Sequence, residues 1–132
     1  MTNSFSPTKI TAFLCMMLCL LSCSSTQFRS NPKWIGYAES GKASFYAMKY
    51  QSIKTASGER LDQYSLTAAH KTLPLGTKVK VTNLKNGKSV IVKINDRGFF
   101  VKGRVIDLTQ SAFKKIGNIE SGIINVNIVV VE

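Results

Sequence analysis

Two apolar patterns divide the chain. From Ile10 to Leu21 it is continuously apolar apart from Thr11, whereas beyond about residue 33 apolar residues come in short runs broken by polar ones. Period-two alternation marks strands with one buried face. It is clearest in Thr77–Thr82, where Val79 and Val81 share one face and Lys78 and Lys80 the other. It recurs in Ser89–Asn95, where Val90, Val92 and Ile94 are in phase and Asp96 continues that inward phase as the strand breaks at Arg97-Gly98. Asn86-Gly87 lies between the two segments and tolerates positive φ, so together they predict a hairpin. Trp34–Ala38, Gly41–Ala47, Ser65–Ala69, Arg104–Leu108 and Ile123–Val131 predict further short strands, the last too apolar to be left on an exposed edge. Tyr50–Tyr64 is polar and turn-rich. Thr109 is placed to cap a short helix over Gln110–Ile116, which Gly117 stops. Many short strands with one small helix predict a mainly β domain closed into a barrel.

The N-terminal run has a different meaning. At a helical rise of about 1.5 Å per residue it reaches roughly 18 Å, short of the ~30 Å hydrocarbon core of a bilayer. It has the size of a signal-peptide apolar region, is preceded by Lys9, and ends in Leu20-Leu21-Ser22-Cys23. This ending resembles the processing site of bacterial lipoproteins, which implies cleavage before Cys23 and acylation of its thiol and new amino group. More than one acyl chain on a cysteine gives stable anchoring. Ser24 stands where an Asp would resemble an inner-membrane retention signal, so an outer-membrane anchor facing the periplasm is expected. The expected organisation is a signal over 1–22, a lipidated polar tether over 23–33 and one domain over 34–132.

The chain has 132 residues, which leaves room for one small core and rules out a large dinucleotide-binding sheet. Apolar residues make up 44%, too many for a disordered basic tail. Of the three cysteines, Cys15 and Cys19 leave with the signal and Cys23 would be lipidated, so no intrachain disulfide, catalytic thiol or cysteine metal site is expected. The formal charge of +11 suits an anionic polymer or surface, and nucleic acid is a poor partner in an exported compartment. Asn86-Gly87-Lys88-Ser89 ends like a phosphate-binding loop but lacks its first glycine and sits between two strands.

The ionisable groups are few enough to sort. His70 is the single histidine, at a strand end before a loop bearing Pro74 and Gly76. Its ordinary reading is a structural hydrogen-bonding ring, with a functional role as the alternative; no paired metal-ligand spacing accompanies it. Asp107 lies inside an apolar strand and reads as a structural carboxylate held by backbone amides or an arginine. Asp62 reads as solvated, Glu39 as lying between two short strands, Glu120 as part of the turn before the last strand, and Glu132 as terminal. Glu59 and Asp96 remain, both on turns where Gly58 and Gly98 allow close backbone approach. Phe99 and Phe100 cannot both face inward on a regular strand, so one is free to face a groove.

Three segments together are similar to the rare lipoprotein A family of bacterial envelope proteins. They are Thr55-Ala56-Ser57-Gly58-Glu59, Leu66 to Thr77 (LTAAHKTLPLGT), and Ile94-Asn95-Asp96-Arg97-Gly98 running on to Gly103–Leu108. The likeness covers about Gly41 to Val131. It implies a six-stranded double-psi β-barrel with one or two short helices, related to expansin domains. It further implies an endolytic lytic transglycosylase that cuts MurNAc-β-1,4-GlcNAc bonds of peptidoglycan without water, leaving 1,6-anhydro-MurNAc ends, on glycan stripped of stem peptides. By the same resemblance Asp96, Glu59 and His70 are the catalytic residues and no cofactor or metal is needed. Peptidoglycan strands, the membrane through acylated Cys23, and division-site envelope proteins are the expected partners of a monomer. A non-catalytic, expansin-like peptidoglycan-binding lipoprotein is the alternative. The chain departs from the family pattern at Phe45-Tyr46-Ala47, where many relatives carry Trp-Tyr-Gly, and at Gly98-Phe99-Phe100, where Gly-Pro-Phe is familiar.

Overall fold

The computed structural model describes residues 33–98 and 101–132. The expected signal, Cys23, nearly all of the tether and the Phe99–Phe100 pair lie outside the described residues. Six strands close into one barrel: β1 (Ala38–Phe45), β2 (Thr67–Ala69), β3 (Lys78–Asn83), β4 (Ser89–Asp96), β5 (Arg104–Leu108) and β6 (Ile124–Val130), in the order β1-β5-β2-β4-β3-β6. β1 pairs with β5, and β2 with β4, in parallel; the other neighbours are antiparallel. One α-helix, α1 (Gln110–Ile116), and 3-10 turns at Met48–Tyr50 and Ile119–Ser121 complete the described elements.

The alternation read from the sequence sets the inside of the barrel. Val79 and Val81 pair with Val92 and Val90 across β3–β4, and these valines join Ile94, Ile106, Leu108, Val126 and Ile128 in the buried core. α1 contributes Ala112, Phe113 and Ile116 to that core, and the Phe113 ring meets Phe45 edge-on at 4.9 Å. Thr109 caps the helix as expected: its Oγ1 accepts from Ala112 N (3.4 Å) and donates to the Ser65 carbonyl (2.6 Å). The helix ends at Gly117 in an extended conformation. The hairpin turn closes at Gly87, whose φ is +74°, and the Asn83 and Asn86 side-chain amides both donate to the Ile116 carbonyl at the end of α1.

One expectation fails locally. Trp34–Ala38 is not a separate strand. Tyr37 N bonds the Trp34 carbonyl (2.9 Å) and Gly36 takes φ +85°, which makes residues 33–36 a turn. β1 then runs unbroken from Ala38 through Gly41, so Glu39 lies within a strand rather than between two. Gly41 does not start the strand. It sits where β1 and the beginning of β5 press together, and a Cβ there would strike the Val105 side chain and come within 3.0 Å of the Gly103 carbonyl.

Candidate active site

Asp96 owes its direction to a register slip. Along β2 and β4, Ala68 pairs with Ile94, but the next residue, Ala69, pairs with Asp96, so Asn95 is an extra residue on β4. Ala68 and Ile94 both face the barrel core. Successive strand residues face opposite ways, so Ala69 faces outward, and the bulge turns Asp96 outward with it. The inward phase expected from Val90, Val92 and Ile94 therefore does not extend to Asp96. Ala69 also pairs with Asp107 of β5, and Asp107 with Ser44 of β1. Ser44, Asp107, Ala69 and Asp96 thus form a row across four neighbouring strands on the outer wall.

The long loop between β1 and β2 folds over this row. Tyr46, the first residue beyond β1, packs with Leu61 and Ala69 in a small apolar cluster separate from the main core. Its phenol donates to Asp96 Oδ2 at 2.7 Å. Asp96 Oδ1 accepts from two backbone amides, Ala56 N (2.9 Å) and Arg97 N (2.8 Å). Ser57 N bonds the Asn95 carbonyl (3.0 Å), which pins the Thr55–Glu59 turn to the bulge, and Gly58 closes that turn with φ +88°. Glu59 is exposed, with its carboxylate paired to Lys93 Nζ of β4 at 3.0 Å and accepting from Ser57 Oγ at 3.3 Å. The turn therefore carries Glu59 to the same end of β4 as Asp96.

His70 is buried, and its ring bonds away from Asp96. Its Nδ1 accepts from the amides of Thr72 and Leu73, each at 3.1 Å, which places the proton of the neutral ring on Nε2; that nitrogen donates to Glu39 Oε2 at 3.0 Å. Only the backbone of His70 reaches the site: its N–H donates to the Asp96 carbonyl (3.1 Å), and its carbonyl accepts from Arg97 Nη1 (3.2 Å). Of the three residues expected at the site, Asp96 and Glu59 come together on one face, while the His70 side chain supports the loop that follows β2.

One group, Tyr46, was missed as a member of the site. Tyr46 was legible in principle, because Phe45 and Tyr46 are adjacent at a strand end and must face opposite ways. Asp107 was read as a structural carboxylate. It is half-buried, accepts from Ser44 Oγ at 3.1 Å, and burial pushes its pKa above the usual carboxylate range. Ser44 and Arg104 oppose that rise, and the negative charge of Asp96 adds to it. Burial likewise pushes the Tyr46 phenol upward, helped by its bond to Asp96 and the charges of Asp96 and Asp107, so the phenol stays a proton donor. Asp62 lies at the surface as expected, its pKa lowered mainly by the Tyr64 amide and then by the Ser65 hydroxyl.

Two outcomes follow from these environments. A carboxyl whose pKa is raised by folding binds its proton more tightly in the folded chain than in the unfolded one, so wild-type stability falls as pH rises above the ordinary value of 3.8 through the raised one. Asp107→Asn carries no such loss, and urea denaturation will find the stability difference moving in its favour as pH rises above about 4. His70→Ala leaves the Thr72 amide and the buried Leu73 amide without their acceptor and should cost about 1–3 kcal/mol in the same measurement. His70→Asn, whose amide oxygen can replace Nδ1, should recover part of that.

A family profile described as lytic transglycolase matches residues 38–128, which is most of the barrel. The "Endolytic peptidoglycan transglycosylase RlpA" of Vibrio cholerae serotype O1 is 54% identical over 101 residues, covering 76% of this chain and 38% of the relative. The chain spans about a third of the length of the curated relatives it matches. Among solved structures, the Streptomyces papain inhibitor superposes with a TM-score of 0.61 at 26% identity, covering 74% of this chain and 97% of the inhibitor. The Clavibacter michiganensis expansin gives 0.58 at 24% identity, over 73% and 51%, and shares the fold. The family profile spans the bulge, the Thr55–Glu59 turn and His70 alike, and this chain belongs to the lytic transglycolase family, in agreement with the rare lipoprotein A likeness of its sequence.

Proposed function

We propose that this chain is an endolytic peptidoglycan lytic transglycosylase of the bacterial envelope, with Asp96 as its acid and base. The single observation that carries the reading is the setting of Asp96: a half-buried carboxylate on the outer wall, fixed by three hydrogen bonds, with Glu59 held nearby by the turn that supplies one of them. The name of the Vibrio cholerae relative supports the substrate class and reaction type.

Alcohol oxygens of a glycosidic bond leave poorly unless protonated, so a positioned carboxylic acid is the first requirement. Asp96 gives its proton to the GlcNAc O4 as the C1–O4 bond breaks. The C6 hydroxyl of the same MurNAc then closes on C1, and its proton passes to Asp96, which restores the acid. Atoms balance without water, leaving a 1,6-anhydro end and a free GlcNAc hydroxyl. A tethered hydroxyl has a high effective concentration, so no second carboxylate is needed to activate a nucleophile. Glu59 and Lys93 form an exposed charge pair suited to holding the sugar beside Asp96. His70 acts by position, fixing the loop after β2 and, through its backbone, the end of β4. No cofactor takes part in this scheme, and glycan stripped of stem peptides is the proposed substrate.

The reading extends to location. Cys23 is the proposed lipidation site, anchoring the domain to the outer membrane with the barrel facing the periplasmic glycan. Division-site proteins are further proposed partners of a monomeric domain.

Mass spectrometry of digested sacculi should find soluble 1,6-anhydro-MurNAc products from the wild-type chain. Asp96→Asn should lower their release by about 10²–10⁴-fold, the usual worth of a positioned acid. Glu59→Gln should lower it by about tenfold, expressed mainly in KM. A folded chain that sediments with sacculi yet yields no such ends would replace this reading with the binding-protein alternative. Cys23→Ala should move the chain from the membrane fraction to the soluble fraction on cell fractionation.

A further inference from the structure

Resting on the transglycosylase reading, and deepening it, we propose that Tyr46 is a positioning residue that dictates which site on the Asp96 carboxyl carries the transferred proton. An ionised carboxylate offers about two in-plane lone pairs on each oxygen. On Oδ1 both are taken, one by Ala56 N–H at 2.9 Å and one by Arg97 N–H at 2.8 Å. On Oδ2 the Tyr46 hydroxyl takes one at 2.7 Å. A single site therefore remains, on Oδ2, and the phenol determines its direction.

The phenol is itself firmly placed. Tyr46 is buried against Leu61 and Ala69, and Ala69 stands between Asp107 on β5 and Asp96 on β4 in the outward row. The methyl group of Ala69 leaves room for the ring to lie across the row. The other charged groups around Asp96 have their own partners. Asp107, on β5, is bonded by Ser44 with Arg104 beside it; Glu59, on the loop, is paired with Lys93 of β4; the Arg97 guanidinium is turned to the His70 carbonyl; and the His70 ring is turned to Glu39. Among the described side chains, Tyr46 is the one that donates directly to the Asp96 carboxylate.

The sign of the effect is fixed by what the phenol stabilises. Donation favours the charged carboxylate, so removing it favours the protonated acid. A reaction that starts from the protonated acid is lost on the alkaline side, and without the phenol that limb moves to higher pH. The maximal rate falls nonetheless, because the proton site is no longer held in one direction.

The test uses the full chain and its Tyr46→Phe variant, a change that keeps the ring and removes only the hydroxyl. Tyr46→Phe should lower kcat for anhydro-end release by about ten- to hundredfold with KM within about twofold, and move the alkaline limb up by about one pH unit. Ionisation of the Asp96 carboxyl, followed by its ¹³C shift, should move upward in parallel. Site-specific 3-fluorotyrosine at position 46, a stronger donor of unchanged shape, should move both the other way, and it serves as the test if Tyr46→Phe fails to fold. An alkaline limb and a carboxyl titration that stay put in a folded variant would overturn the proposal, whatever the rate does, and loosened packing that admits water would move both down rather than up. If the unmodified chain releases no anhydro ends, the transglycosylase reading falls with the proton-transfer role that depends on it; a carboxyl that still shifts with Tyr46 would retain only the electrostatic contact.

Discussion

A one-residue mismatch between β2 and β4 governs the chemistry-bearing face of this barrel. Up to Ile94, β4 delivers alternate side chains to a core that has no room for a charge; the extra residue Asn95 reverses the phase, and Asp96 emerges on the opposite side. Without the slip the carboxylate would enter an apolar interior, where an unpaired charge is costly. With it, the carboxylate meets two backbone amides and a phenol. The slip also exposes the Asn95 carbonyl to Ser57 N, so the feature that aims Asp96 provides the mooring for the turn that covers it.

The loop from Tyr46 to Leu66 illustrates how little apolar material is needed when backbone bonds are placed well. Its own core is Tyr46, Leu61 and Ala69. Polar groups hold the rest: Gln63 Nε2 donates to the carbonyls of Tyr46 and Ala47, its Oε1 accepts from Gln110 N at the start of α1, and Thr55 bonds the Glu59 carbonyl through both its amide and its hydroxyl. The site is consequently a product of loop folding as much as of the barrel, and the charge pair of Glu59 with Lys93 sits on the seam between them.

Much of the barrel was legible because period two and capping are local signals. The β3–β4 hairpin, β5, the Thr109 cap and the final strand all follow from residues within a few positions of one another. β1 was misread because Gly41 marks a close approach between β1 and Val105, a tertiary fact that looks like a strand break in sequence. The bulge was illegible for a similar reason: a single-residue slip leaves no imprint on hydrophobic pattern. Glu59 and Asp96 stood out as carboxylates on glycine turns, while the bond that joins Tyr46 to Asp96 crosses 50 positions. His70 carried both readings; its side chain bonds Glu39 and two amides, partners that lie up to 31 positions away.

The outward row of Ser44, Asp107, Ala69 and Asp96 divides labour between the two faces of the same strands. The main hydrophobic core lies on the inner side and only the small Tyr46, Leu61 and Ala69 cluster on the outer one, so the outer side makes little demand on interior packing. There is a topological corollary as well. A blind cavity accepts a polymer only by its end, whereas a working surface on the outside of a closed wall meets a long strand broadside. For the proposed glycan cleavage, access to an internal linkage is then a matter of lateral contact rather than threading.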